Sequence, residues 1–290
     1  MIMDSHTQKA GPPVIIIGAG RSGTNMLRDL LVQLPGLTTW PCDEINYIWR
    51  YGNRAFPTDE FTPDMATPQA AAYIRRQFAK LSSDDVVVEK TCANSLRCNF
   101  VREVFPEARF IHIVRDGRDV AASASLRWNA ELDVPYILKK ARYVPLQDVP
   151  YYGLKYVNSR IYRLFSGKTR LSTWGPRFQG INEIFQKYEL PVGCAVQWKE
   201  CVKSSQAQLD GLPSNQLLTI RYENFTKNPI EEFRSVCDFV GADYTDGDLQ
   251  KLTGAVSNRS VGKWESQLTE TQVSTITDLT GELLSDLGYC

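Results

Sequence analysis

The sequence has little histidine: only His6 and His112 occur among its 290 residues. Two histidines, one of them in the polar N-terminal segment, exclude a metal centre or a catalytic site that needs several imidazoles. The seven cysteines form no C-x-x-C pair, so zinc-ribbon and dithiol redox spacings are missing as well. We therefore expect reduced, mostly buried thiols and no bound metal.

Long apolar runs and net charge are also missing. No run approaches the ~20 apolar residues that span a bilayer, and the N-terminal MIMDSHTQKAGPP has no apolar signal core. The 33 basic residues balance the 33 acidic ones, so the whole chain offers no general attraction to a polyanion. These observations predict a cytoplasmic protein with a disordered tail over residues 1–12 and neither a nucleic acid nor a membrane as partner.

Short apolar runs alternate with helical patterns along the chain. The runs VIIIG and VVVEK predict buried strands, FIHIV and LLTIR predict two further strands, and helical periodicity follows each of them. This alternation predicts an α/β fold in which helices cover both faces of a mainly parallel sheet, as three α/β/α layers. We expect one domain over residues 13–290, with a helical insertion at about 129–190.

The insertion differs from the rest of the chain in charge. Residues 136–188 hold ten lysines and arginines against two acidic residues, and seven of the 13 tyrosines. Because the whole chain is neutral, this net charge of +8 leaves −8 for the remainder. The segment could form an acceptor site, a lid over an anionic ligand, or a solvated basic face.

The stretch VIIIGAGRSGTNML places a glycine-rich loop between a strand and a helix. As G-x-x-x-x-G, Gly18 and Gly23 have the spacing of a phosphate-binding P-loop, in which lysine and then serine or threonine should follow. Thr24 and Asn25 stand there instead, so ATP hydrolysis is disfavoured, and the basic residue lies inside the loop at Arg21. Backbone N–H groups at a helix N-terminus still bind an anion, here a 5′ diester-like group rather than a magnesium triphosphate.

The same glycines also spell G-x-G-x-x-G, the loop that holds a dinucleotide. That motif needs an acidic residue about 20 positions later, at the end of a second strand. Asp43 and Glu44 lie near that distance, but the preceding GLTTWPC carries a proline and little apolar content. A nicotinamide or flavin site is therefore the weaker interpretation.

A second anion site is predicted by FIHIVRDGRDVAASAS. Arg115 follows a strand, and Ser123 lies eight residues later in the next helix. A residue at the carboxyl end of a strand faces the ligand crevice of a parallel sheet, and two helical turns return the hydroxyl towards it. A guanidinium and a hydroxyl in this arrangement suit an isolated phosphate.

Five segments, in this order, resemble the sulfotransferases that use 3′-phosphoadenosine 5′-phosphosulfate (PAPS). They are RSGTNML after a strand, VVVEKT, VRDGRDVAASA, RYENFTKNP and NRSVGKW. The resemblance extends from about residue 14 to the C-terminal LGY, and STWGPRFQGI is similar to a segment of soluble bacterial members. It implies the P-loop-like sulfotransferase fold, PAPS as donor, its product PAP, and no metal.

The resemblance also implies roles for individual residues. The 5′-phosphosulfate would be held by Arg21, Ser22, Gly23, Thr24 and Asn25. Arg115, Ser123 and Arg259 would hold the 3′-phosphate, and Tyr222 would contact the adenine.

Two departures from the soluble eukaryotic members bear on catalysis. Arg21 replaces a lysine, and Cys92 stands where those members have a catalytic histidine. The EKT sequence resembles members with a carboxylate base, which implies Glu89 as base, with Lys90 and Arg21 stabilising the leaving phosphate.

The resulting hypothesis is in-line transfer of a sulfuryl group to an acceptor hydroxyl, or alternatively an amine. The acceptor would be a small molecule, a secondary metabolite or a sugar. A P-loop kinase and a non-catalytic nucleotide-binding module are the alternatives, and the sequence leaves the acceptor and the oligomeric state open.

Overall fold

A computed structural model of the chain describes residues 11–81, 84–128, 142–151 and 175–289. Most of the predicted tail, and residues 129–141 and 152–174 of the predicted insertion, lie outside the described residues. No helix within the described ranges is long and apolar enough to cross a membrane.

The described part of the chain contains a five-stranded parallel sheet with the order β2-β3-β1-β4-β5. The strands are β1 (Val14–Ile17), β2 (Leu37–Thr38), β3 (Val86–Lys90), β4 (Arg109–Val114) and β5 (Leu217–Arg221). Four of them coincide with the predicted apolar runs, which confirms the α/β class. The two-residue β2 falls in GLTTWPC, where the low apolar content did not predict a strand.

The strand order separates the two interpretations of the glycine loop. In the dinucleotide fold, the strand after the glycine loop's own helix lies directly beside β1. Here β3 lies between β1 and β2, so the loop that carries Asp43 and Glu44 follows a strand that β1 does not touch. The arrangement does not provide the ribose-binding strand that a dinucleotide site requires.

Helices of the described ranges cover both faces of the sheet. Their bounds are α1 (Thr24–Leu31), α2 (Asn46–Trp49), α3 (Pro68–Leu81), α4 (Cys98–Val104), α5 (Gly117–Trp128), α6 (Ile181–Lys187), α7 (Leu190–Leu209), α8 (Tyr222–Lys227), α9 (Pro229–Val240), α10 (Asp246–Thr253), α11 (Trp264–Gln267) and α12 (Glu270–Asp286). Short 3₁₀ turns occupy Pro63–Met65, Cys92–Leu96 and Leu146–Asp148.

The side chains of β1 point alternately to the two faces of the sheet, and helices cover each face. Val14 and Ile16 face one apolar cluster, which α1 and α9 complete, whereas Ile15 and Ile17 face another, which α2, α3 and α4 complete. Side chains of successive strand residues point to opposite faces, so a fully apolar strand needs cover on both sides. The four buried residues of β1 therefore account for the three-layer architecture.

His112 of β4 is a core residue. Its ring is buried, and Nε2 lies 3.0 Å from the Ser205 hydroxyl of α7. Burial lowers the pKa of His112 to about 4, which keeps the ring neutral at physiological pH. The histidine thus supports packing between β4 and α7 rather than chemistry.

Candidate active site

The loop between β1 and α1 has an unusual backbone at two positions. Gly23 has a φ of +92°, and Arg21 has a φ of +72°, in the left-handed region that favours glycine. A Cβ atom on residue 23 would lie 2.5 Å from Cδ2 of Tyr222. Glycine at position 23 therefore serves both the turn and the close approach of the tyrosine ring.

Polar groups of this loop are buried without protein partners. Ser22 is 1% exposed, and neither its Oγ nor the Oδ1 of Asn25 has a hydrogen-bond partner within the described residues. Thr24, the first residue of α1, places its Oγ1 3.9 Å from the Sγ of Cys92. Buried polar atoms normally find partners, so this loop has the character of an anion site at a helix N-terminus.

Arg115 connects the glycine loop to a distant segment. Its guanidinium, 5% exposed at the end of β4, donates through Nη1 to the Arg21 carbonyl over 3.0 Å and through Nη2 to the Ser260 carbonyl over 2.5 Å. The Nε of Arg115 is buried and has no partner among the described residues. A buried guanidinium with one unused donor is suited to bind an anionic ligand.

Ser123, whose spacing predicts a position near Arg115, lies next to the glycine loop. Its Oγ accepts a hydrogen bond of 3.0 Å from the Arg21 Nε. Burial and the charges of Arg127 and Arg115 lower the pKa of Arg21, which reflects a concentration of positive charge here. The two predicted anion sites are therefore neighbours within one site.

Tyr222 joins this site to the late loop, defined here as residues 257–263. The Arg115 guanidinium lies 4.3 Å above the Tyr222 ring, and the Tyr222 hydroxyl is 2.7 Å from the Ser260 Oγ. A cavity of about 380 Å³ opens between α1 and the late loop, lined by Met26, Asp29, Leu30, Gln33, Tyr222, Leu252, Ala255, Val256, Ser257, Arg259, Ser260 and Lys263. Arg259 is exposed at this cavity, and the sequence prediction did not include Ser260 or Lys263.

The structure places Glu89 deep in the core beside the loop. The residue is 1% exposed, and its two carboxylate oxygens accept hydrogen bonds from Thr91 Oγ1 at 2.5 Å and from Asn94 Nδ2 at 2.9 Å. Burial raises the pKa of Glu89 to about 7, although the Thr91 bond and the charge of Lys90 oppose this shift. Glu89 is thus an enclosed, hydrogen-bonded carboxyl group.

A second carboxylate, which the sequence prediction did not include, lies at the same edge of the sheet. Glu44 is 29% exposed in its side chain, and its Oε1 accepts a bond of 3.1 Å from Lys90 Nζ and one of 3.4 Å from the Cys92 N–H. Burial alone would lower the pKa of Lys90, but the neighbouring Cys92 and Glu44 raise it. The signal in the sequence is the acidic pair after β2, which the dinucleotide interpretation assigns to a ribose.

The family is shown by comparison with known sequences. A sequence model described as the sulfotransferase family matches residues 12–143 and 157–246. The chain therefore belongs to the sulfotransferase family, which confirms the resemblance noted in the sequence.

Particular relatives are more distant. The nodulation protein NoeE of Sinorhizobium fredii (strain NBRC 101917 / NGR234) is 23% identical over 310 residues, covering 94% of this chain. The chain spans only 65% of the length of NoeE.

Solved structures are similar in fold. The sulfotransferase STF9 of Mycobacterium avium has a TM-score of 0.54 at 12% identity, covering 96% of this chain and 77% of that one. Mouse sulfotransferase SULT7A1, solved in complex with PAP, has a TM-score of 0.54 at 16% identity, covering 96% and 86%. These likenesses establish the P-loop-like sulfotransferase fold.

Proposed function

We propose that this protein transfers a sulfuryl group from PAPS to a hydroxyl, or alternatively an amine, of a small-molecule or sugar acceptor. The observation that carries the proposal is the contact between the two anion sites. Arg115 donates to the Arg21 carbonyl, and Arg21 donates to Ser123. One ligand with two separated anionic groups fits such a pair of adjoining sites.

The residues present fit an adenosine bisphosphate. The Ser22 hydroxyl of the glycine loop and the Arg115 Nε that follows β4 are both buried and have no partner among the described residues. The cavity beside Tyr222 offers an aromatic ring, apolar side chains and the basic residues Arg259 and Lys263. We assign the loop of Arg21–Asn25 to the 5′ end, Arg115, Ser123 and Arg259 to the 3′-phosphate, and Tyr222 to the adenine.

When bound, PAPS supplies the sulfuryl group, whose transfer depends on positioning and charge stabilisation rather than on covalent work by the protein. Lys90 lies at the end of β3, and Arg21 lies in the glycine loop. Both cations would stabilise the negative charge that develops on the 5′-phosphate. Although burial opposes the shift, the Glu44 carboxylate raises the pKa of Lys90, so this ammonium stays charged at neutral pH.

Two carboxylates are candidates to accept the acceptor's proton. Glu89, the residue that the resemblance implies, is enclosed and has both oxygens occupied by Thr91 and Asn94. Glu44 contacts the same Lys90 but reaches solvent. Because a base must come within hydrogen-bond distance of the acceptor, we favour Glu44 as base and regard Glu89 as the alternative.

Binding of PAP tests the donor assignment. We expect saturable binding by calorimetry, and Arg115→Lys should weaken it roughly 10- to 100-fold because an ammonium cannot replace a forked guanidinium. Arg234→Lys is the control, since Arg234 forms an exposed pair with Asp246 and lies beside the Tyr244 ring, outside the proposed site. No saturable PAP binding by the wild type would refute the proposal. Magnesium-dependent ATP binding in its place would favour a kinase.

Transfer of ³⁵S from labelled PAPS tests catalysis, with a phenol, a neutral oligosaccharide and a primary amine as acceptors. Glu44→Gln should lower kcat by roughly 10²- to 10⁴-fold and leave PAP affinity within a few fold. If Glu89→Gln shows this loss of kcat and Glu44→Gln remains active, Glu89 is the base. PAP binding without transfer to any acceptor would favour a non-catalytic module.

A further inference from the structure

Asp119 is a buried carboxylate to which neither the sequence analysis nor the proposed function gives a role. It lies in the first turn of α5 and is 2% exposed. Its Oδ2 accepts the Gly262 N–H at 2.8 Å, and its Oδ1 accepts the Trp264 N–H at 3.1 Å. Both oxygens therefore bind backbone amides at the end of the late loop, more than 140 residues away along the chain.

The same carboxylate lies beside Arg115, one helical turn earlier. The Asp119 Oδ2 is 3.6 Å from the Arg115 Nη2, and that Nη2 donates to the Ser260 carbonyl. The late loop and the residue that follows it are thus held at three backbone positions: Asp119 of α5 binds residues 262 and 264, and Arg115, which precedes α5, binds residue 260. Hydrogen bonds to charged partners are the stronger ones in proteins.

These contacts involve only the backbone of the loop. The side chains of Arg259, Ser260 and Lys263 consequently stay available to line the cavity. At 3.6 Å, the Asp119 carboxylate restrains the guanidinium of Arg115 without occupying its buried Nε. The arrangement orients Arg115 and the late loop, and it leaves the Nε of Arg115 without a partner among the described residues.

We propose that Asp119 is a positioning residue for the 3′-phosphate: it fixes the late loop over Arg115 and sets the direction of the Arg115 guanidinium. This inference rests on the proposed function, because it assigns the 3′ end of the donor to Arg115. Loss of the carboxylate charge would release the loop and leave the 5′ end of the site intact.

Asp119→Asn tests the inference through two ligands, PAP and adenosine 5′-monophosphate, which lacks the 3′-phosphate. We expect PAP affinity to fall roughly 10- to 100-fold and affinity for the monophosphate to change less than about threefold. The ratio of PAP affinity to monophosphate affinity should therefore fall by about the same factor as the PAP affinity. Asp116→Asn is the matched control, because Asp116 is also buried in this segment but pairs with Arg118.

The outcomes separate this inference from the proposed function. Absence of PAP binding in the wild type would refute the proposed function itself. Normal PAP binding in the wild type, together with an unchanged preference in Asp119→Asn, would overturn only the role of Asp119. An equal loss of affinity for both ligands would indicate general destabilisation and would likewise overturn it.

If Asp119→Asn does not fold, amide hydrogen exchange in the wild type still tests the inference. In the wild type, the amides of Gly262 and Trp264 should exchange slowly for a surface loop, because the buried carboxylate binds them. If Asp119→Asn does fold, exchange of these two amides should be at least tenfold faster in the variant than in the wild type. Exchange of both wild-type amides at the rate of exposed loop amides would contradict the proposed positioning.

Discussion

The Nε–H of Arg21 donates to the Oγ of Ser123 over 3.0 Å, although the two residues lie 102 positions apart. This bond joins the glycine loop to helix α5 across the carboxyl ends of β1 and β4. Parallel pairing of these two strands makes it possible, since it brings both following helices to the same edge of the sheet.

Removal of this hydroxyl should reduce PAP affinity selectively. We expect Ser123→Ala to weaken PAP binding roughly 5- to 20-fold, the effect of one hydrogen bond to a charged group, and to leave adenosine 5′-monophosphate binding nearly unchanged. Ser125→Ala is the control on the same helix, because the Ser125 hydroxyl donates to the Ala122 carbonyl. Calorimetry with both ligands measures the effect, and equal affinities of the two variants would argue against a 3′-phosphate at Ser123.

A methyl group at position 23 should damage the site more than one at position 36. Both glycines have positive φ, but a Cβ on Gly23 would collide with the Tyr222 ring, whereas a Cβ on Gly36 would have no atom within 4 Å. Gly36→Ala should therefore lower the free energy of unfolding only by the backbone strain, about 1 kcal/mol. Gly23→Ala should lower it by clearly more, because the steric clash is added. Urea unfolding measures the two costs. Equal costs would contradict the described approach of Tyr222 to the loop.

Glu89→Gln should change the pH dependence of stability. The folded pKa of Glu89, about 7, lies above its ordinary value of 4.5, so the native state holds this proton more tightly and the contribution of Glu89 to stability is lost as pH rises from about 4.5 to 7. The neutral variant lacks this loss, worth up to about 3 kcal/mol. Urea unfolding of both proteins from pH 4.5 to 8 should show the variant gaining relative stability up to pH 7. A constant difference would show that burial does not raise this pKa.

His112→Gln should reveal a dependence of the opposite sign. Burial lowers the pKa of His112 from 6.5 to about 4, so the unfolded chain binds the proton first and stability falls as pH drops through this window. Glutamine remains neutral, and its amide can still reach the Ser205 hydroxyl. As the pH falls, the variant should not show the decrease in unfolding free energy, up to about 3 kcal/mol, that His112 causes. This holds even if the substitution lowers stability at every pH by disturbing packing. Urea unfolding from pH 4.5 to 7.5 measures this, and an unchanged acid slope would contradict it.

These two groups oppose each other between about pH 4.5 and 6.5. Raising the pH weakens the contribution of Glu89 and strengthens that of His112, so their effects largely cancel in the wild type. Each single variant should therefore expose the slope of the other group, and the double variant should restore a flat profile in this range.

Local patterns were sufficient to predict the scaffold of the site. The apolar runs predicted β1, β3, β4 and β5, and the glycine pattern predicted the loop between β1 and α1. Arg115 and Ser123 were predicted because a strand end followed by two helical turns has a fixed geometry. The two-residue β2 escaped prediction, since a strand so short has no periodicity to detect.

The sequence by itself determined the α/β alternation, four of the five strands and the resemblance to the family, because each depends on residues close together in the chain. Only the tertiary structure decided that Glu44 contacts Lys90, that Glu89 is enclosed, and that Asp119 holds the late loop. These contacts join segments 46 to 145 positions apart, or depend on what packs around a side chain. Strand order and loop path set such contacts, and neither leaves a periodic trace in the sequence.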